Sequence, residues 1–214
     1  MKTMLVIGLG EFGTHVSKKL GEMGCEVMAV DNDEARVNDV LPYVTNAQIG
    51  DATNEDFLRS LGVDEYDICI VALGGHFQSS LEATCLLKEL GAKKVLSRAT
   101  NDVQMKFLLK NGADEVVYPE KQMALRTAAI CAADGVLDFV RLDKDHSIFE
   151  IDIPTGWAGK NLMQIDSRRK YNINVLSVKR EGSVFIPNAE TVLRDDDTAY
   201  VISRNEDIRK IVSM

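Results

Sequence analysis

Val6-Ile7-Gly8-Leu9-Gly10-Glu11-Phe12-Gly13, "VIGLGEFG", follows the apolar run "MLVI" and leads into "THVSKKLGEMG". Glycines 8, 10 and 13 satisfy G-x-G-x-x-G directly after a strand and at the opening of a helix, the context in which that spacing carries physical meaning. Gly8 allows a tight turn, Gly10 removes a side chain so that backbone can approach a pyrophosphate, and Gly13 lets the helix sit close to the sheet. The helix N-terminus adds free N–H donors and the positive end of its dipole. One residue sits awkwardly in this loop: Glu11 places a carboxylate where phosphates would lie.

Outward from the loop, short β-branched runs alternate with longer amphipathic ones. Strands are expected at 4–8, 25–31, 47–50, 67–73, 93–99 and 114–119, with helical patterns between them. Strand and helix alternating in this way predict an α/β fold, a Rossmann-type doubly wound parallel sheet with helices on both faces. Gly24, Gly62, Gly91 and Gly112 fall where helix C-caps are expected. The alanine-rich run "EKQMALRTAAICAADGVLDFV" then reads as one long helix, too apolar for a lone surface helix, and so expected to pack on a partner subunit or the next domain. From about Arg141 the pattern becomes β-α-β-β-β-α, a small α+β C-terminal domain. The reading places a Rossmann domain over 1–118, a crossover and dimerisation helix over 119–137 and the small domain over 138–214.

Composition narrows the function classes. A formal net charge of −8, with no basic stripe, argues against a chain that lives on nucleic acid. Cys25, Cys69, Cys85 and Cys131 are scattered, with no Cys-x-x-Cys pair. They read as four reduced, mostly buried thiols of a cytosolic protein, without a zinc site or disulfide framework. No run approaches the roughly 20 apolar residues that span a bilayer, so the chain is expected to be soluble while free to dock on a membrane protein.

Three further strand ends converge with the glycine loop, because ligands of open α/β sheets bind at the carboxyl ends of the strands. Asp31 ends the second strand where a carboxylate accepts from ribose hydroxyls, favouring NAD or another adenosine nucleotide over NADP. Asp31-Asn32-Asp33 also reads as a turn and helix N-cap, and both can hold. "GDAT" (50–53) brings Asp51 and Ala52 to an adenine edge, although Asp51 or Thr53 also reads as a helix cap. "ALGG" (72–75) offers small residues on which a ligand can lie. A dehydrogenase would add an acid or base near a nicotinamide. Only His76 stands near the rim, and the second domain is small to enclose a substrate, so the bound nucleotide reads as a signal. A NAD-dependent oxidoreductase with a degenerate second domain is the alternative. A redox-sensing repressor is disfavoured by the charge and by the lack of a helix-turn-helix.

"VIGLGEFG", "VDND", "GDAT", "LGG", "LSRATND" and "GADEVVYPEKQMA", in this order, resemble the RCK (KTN, or TrkA-N) domain of bacterial potassium-uptake regulators. The tail from "WAGKNLMQ" to "DTAYVIS" is similar to the RCK C-terminal (TrkA-C) domain. The resemblance implies a cytoplasmic regulatory subunit without catalytic residues, assembled from dimers into an octameric ring, peripheral to the membrane through a potassium-transporting partner. Exchange of ATP against ADP, or NADH against NAD, would gate that partner, provided the nucleotide prefers one ring shape. By position, Glu11, Asp31, Asn32, Asp33, Asp51, Ala52, Leu73, Gly74 and Gly75 would line the nucleotide, with Gly8, Gly10, Phe12 and Gly13 in the loop. Arg98 would reach toward phosphates, with Ala99, Thr100 and Gln104 nearby; Arg98 also reads as a solvated strand-end cation. Glu120 would hold a divalent or monovalent cation at the dimer interface, and equally reads as a helix N-terminal carboxylate.

Many relatives of that family carry Arg where Glu11 stands, and a carboxylate there disfavours an unshielded triphosphate. The resemblance thus points to NAD(H), ADP or AMP, or to ATP with a bridging divalent cation. "DSRRKYNINV" resembles the region around Arg169, Ile173 and Asn174 where some members bind cyclic di-AMP. The plainer reading of that stretch, a helix C-terminus followed by an edge strand, is preferred.

Overall fold

Four of the five residues of β1 (Thr3–Ile7) are buried, as its unbroken apolar run requires of a strand covered on both faces. The computed structural model describes residues 1–132 and 135–212, which fall into two compact units, Met1–Glu120 and Lys121–Met214. In the first unit β1 pairs in parallel with β2 (Glu26–Asp31), which pairs with β3 (Asn46–Ile49). On its other side lie β4 (Ile68–Val71), β5 (Val95–Arg98) and β6 (Glu115–Val117), also parallel. The order β3-β2-β1-β4-β5-β6 is that of the doubly wound dinucleotide fold, with the strand order reversing between β1 and β4.

Because successive strand residues point to opposite faces, β1 feeds two cores. Leu5 and Ile7 join Val30, Leu58, Val71 and Leu87 on one side, and Met4 and Val6 join Val27 and Ile70 on the other. The connecting helices are α1 (Glu11–Glu22), α2 (Glu34–Val40), α3 (Glu55–Ser60), α4 (Phe77–Glu89) and α5 (Asp102–Lys110). The glycines expected to end α1, α3, α4 and α5 all take positive φ. Asp33 caps α2, accepting from the Ala35 N–H at 2.9 Å. The cap of α3 is Asn54, whose side chain accepts from the Phe57 N–H at 3.0 Å, and neither Asp51 nor Thr53 takes that role.

The alanine-rich run divides differently from its sequence reading. α6 (Pro119–Ala132) has no buried residue, and β7 (Val136–Arg141) is a strand; residues 133 and 134 of the expected crossover helix lie outside the described residues. In the second unit β7 edges an antiparallel sheet, β10-β9-β11-β8-β7, with β8 (His146–Asp152), β9 (Asn174–Arg180), β10 (Ser183–Phe185) and β11 (Thr198–Arg204). The one helix expected after the first strand of the small domain is two short ones, α7 (Leu162–Ile165) and α8 (Ser167–Tyr171), broken by Asp166 at φ 50°. The last helix, α9, covers only Arg209–Val212.

The second core gathers Phe149, Ile151, Trp157, Ile173, Val178 and Leu193. Asp197 is buried beside it. Its two oxygens accept from Arg180 Nε at 2.7 Å and Nη2 at 2.6 Å, and Oδ2 also accepts from the Arg194 N–H at 2.8 Å. β9 is not an edge strand, since it lies between β10 and β11, although Asn174 itself pairs only with β11.

The cysteines are free but not mostly buried. Only Cys69 is, and burial pushes its thiol up to about 12; Cys25 and Cys85 are partly exposed and Cys131 is exposed. Among the described residues no helix is long and apolar enough to cross a membrane.

Candidate functional site

Gly8 leaves β1 at φ 91°, its N–H donating to the Val30 carbonyl at 2.8 Å. Gly10 then caps α1, and Glu11 is its first residue. The three glycines are needed for different reasons. A Cβ on Gly13 would lie 1.8 Å from the Gly8 carbonyl oxygen, so the helix can approach the turn this closely only without one. A Cβ on Gly10 would meet no protein atom within 4 Å. Its absence keeps open the space in front of the helix N-terminus, where unpaired N–H groups favour an anion.

Beside this turn is a cleft of about 190 Å³, lined by Gly8, Asp31, Asn32, Asp51, Ala52 and Leu73 among the expected residues. It lies at the carboxyl ends of β1 to β4. Asp31 is almost wholly buried, and its carboxylate does more than face a ligand. Oδ2 accepts from the Leu9 N–H at 2.6 Å and Oδ1 from the Asp33 N–H at 2.9 Å. Thr53 donates its N–H and hydroxyl to Asp51, and the N–H bond above all holds that carboxyl below its usual value. Asp51 is therefore set as an acceptor at neutral pH.

Of the lining residues outside the expected nucleotide set, the polar ones are Arg36, Thr53, His76, already noted near the rim, and Ser79. Arg36 Nη1 lies 3.7 Å from Asp31 Oδ2 and its Nε 3.6 Å from Asp33 Oδ2, which sets a cation on an acidic rim. The available signal was its place one turn into the helix that follows Asp31.

The other expected residues gather on a second group or turn away. Arg98 pairs with Glu120, lies over the Phe12 ring at 5.5 Å from its centroid and packs on the bare Cα of Gly74, where a Cβ would come within 2.9 Å of the guanidinium. It is not a free solvated cation. Glu11 is 99% exposed in its side chain and 3.8 Å from His15, so it stands at the mouth of the loop. Asp33 is occupied with its cap, and Gly75 is exposed outside the cleft lining.

Ala99 is fully buried against Leu108 and Ala113, which leaves its side chain no path to a ligand. Gln104 is 2% exposed, and its Oε1 accepts from the Thr100 N–H and hydroxyl, both at 2.8 Å. That pair braces the loop after β5. For the cation expected at Glu120, the described residues hold no cluster of three or more His, Cys, Asp or Glu, and Glu120 faces Arg98. One chain alone does not fit a cation there.

The family models decide the identity: TrkA-N domain matches residues 4–119 and TrkA-C domain matches residues 146–214. The chain belongs to the TrkA-N family. This TrkA-N protein is 41% identical over 210 residues to Ktr system potassium uptake protein C of Bacillus subtilis (strain 168), covering 98% of this chain and 95% of that one. It is 36% identical, with the same coverage, to Ktr system potassium uptake protein A of the same organism. The corresponding protein A of Vibrio alginolyticus is 33% identical, over 94% of this chain and 92% of that one.

Among solved structures the GsuK channel superposes with a TM-score of 0.73 at 19% identity, and the GsuK channel bound to NAD with 0.71 at 17%. Each match takes in 99% of this chain and 39% of the channel chain. At that identity the likeness supports the TrkA-N fold alone.

Proposed function

We propose that the chain is the nucleotide-sensing regulatory subunit of a potassium uptake system. The observation that carries this reading is the open space before Gly10 at the mouth of a cleft built from four strand ends, in a chain 41% identical along nearly its whole length to a Ktr potassium uptake protein. The residues present fit an adenine nucleotide. The loop from Gly8 to Gly13 would take the phosphates, Asp31 and Asn32 the ribose, and Asp51, Ala52 and Leu73 the base side, with Arg98 at the phosphate end. NAD bound to the GsuK channel and ADP bound to GsuK support this class of ligand.

The nucleotide would supply differential affinity for two arrangements of an oligomer, not a reacting group. Apolar side chains on α6 that stay half exposed, Met123 and Leu125, support a homo-oligomer built through the 119–137 segment, with the octameric ring and the cytoplasmic face of the membrane as its setting. The potassium uptake names of the relatives, across 33 to 41% identity, favour this over a NAD-dependent oxidoreductase. The deciding experiment measures potassium flux through liposomes holding the membrane transport subunit, with and without this chain. Flux that depends on the chain and changes on exchanging one nucleotide for another supports the proposal. Flux indifferent to both refutes it.

A further inference from the structure

Arg98, at the end of β5, lies over the ring of Phe12 in the first turn of α1, and Glu120, in the first turn of α6 just past β6, pairs with it. The guanidinium is held on three sides: by the backbone of Gly74, by the Phe12 ring and by the Glu120 carboxylate. Its Nε is buried with no acceptor among the described residues. Leu73 lines the cleft and Gly74 follows it in the chain, while Phe12 is the second residue of the helix whose free N–H groups face the loop. The cation is thus stationed at the phosphate end of the site, away from Asp31 and Asp51, and it already carries a carboxylate.

A guanidinium fork accepts a carboxylate and a phosphate by the same hydrogen-bond geometry. One such fork in one place serves one of them well. The geometry points to Glu120 as a built-in competitor for the nucleotide phosphate at Arg98, a specificity-determining residue that a ligand must displace with its own anion. This inference rests on the nucleotide reading and deepens it. Partial burial pushes the Glu120 carboxyl up, but backbone and Arg98 hydrogen bonds outweigh that and leave it below its usual value, so the competitor is ionised at neutral pH. Selection then acts on phosphate: a nucleoside lacking one leaves the pair in place, and a nucleotide trades against it.

The test is calorimetric titration, in chelator to exclude divalent cations, of the full chain, Glu120→Gln, Arg98→Gln and the double variant with ADP and with adenosine. Glu120→Gln is expected to bind ADP about three- to fivefold tighter than the natural chain, the range of a partly exposed ion pair. Adenosine affinity should be the same in both, and the gain should vanish when Arg98 is also replaced. ADP affinity unchanged or weakened in Glu120→Gln while the natural chain binds overturns the proposal, as does a gain that survives in the double variant. Failure of the natural chain and Glu120→Gln alike to bind ADP overturns the nucleotide reading itself and this inference with it.

Discussion

The Leu9 N–H donates to Asp31 Oδ2 at 2.6 Å across 22 residues of sequence, so the acid that ends β2 also ties down the glycine loop that follows β1. Leu9 is 2% exposed, and without Asp31 its N–H loses its acceptor in a buried setting. Asp31→Ala is therefore expected to lower the stability of the ligand-free chain by about 1–3 kcal/mol, the cost of an orphaned buried donor, besides weakening nucleotide binding. Urea unfolding without nucleotide checks it. A carboxylate that served the ribose alone would leave that curve unmoved.

Gly10→Ala and Gly13→Ala separate the two duties of the loop. Gly10 has φ −67° and open space around it, so alanine is expected to leave thermal unfolding nearly unchanged while cutting phosphate-ligand affinity at least about tenfold. Gly13→Ala sets a Cβ against the Gly8 carbonyl and is expected to cost about 1–3 kcal/mol or more of stability. Melting curves paired with binding isotherms distinguish the two, and equal loss of stability in both would contradict the division.

Glu11→Arg probes the residue that set the loop apart. Its side chain stands almost fully in water at the first position of α1, so it acts on a triphosphate through a screened charge and not through a contact. The arginine variant is expected to bind metal-free ATP about three- to tenfold tighter, with a smaller gain for AMP and a gain that shrinks as salt rises. Equal changes for ATP and AMP would show that Glu11 does not read the phosphate tail.

The second unit carries its own acid-sensitive element. The Arg180 hydrogen bonds hold the buried Asp197 carboxyl below its usual value, so this pair contributes stability above the unfolded carboxyl value of about 3.9 and loses it as pH falls through the lower folded value. Arg180→Gln is expected to destabilise this unit at neutral pH by about 2–4 kcal/mol, discounted because Arg180 stays partly in water, and to flatten its unfolding between pH 5 and about 2. Denaturant midpoints across that range decide it; an unchanged acid slope would exclude Asp197 as the titrating group.

What was legible in the chain was what local chemistry specifies. The loop glycines, the six strands of the first unit and Asp31 at a strand end are all set by spacing and by apolar runs. β7 was hidden because the alanine-rich run keeps a helical pattern up to Gly135, whose φ of 78° precedes "VLDFV", and the strand is specified by its antiparallel pairing with β8. The break at Asp166 rests on a left-handed conformation that an aspartate adopts only in context. At the site, the resemblance brings in Ala99 and Gln104 beside Arg98, while the fold buries both side chains. The pairing of Arg98 with Glu120 depends on where a strand end and a helix start meet, 22 residues apart, which no short window contains.

The most direct test of the central claim is calorimetric titration of the full chain with ADP and with NAD, beside Gly10→Ala under identical conditions. The account predicts saturable binding of at least one of them at one site per chain, lost or strongly weakened in Gly10→Ala while that variant melts as the natural chain does. No binding of either, or binding that Gly10→Ala leaves intact, would contradict a phosphate-cradling loop and with it the nucleotide signal.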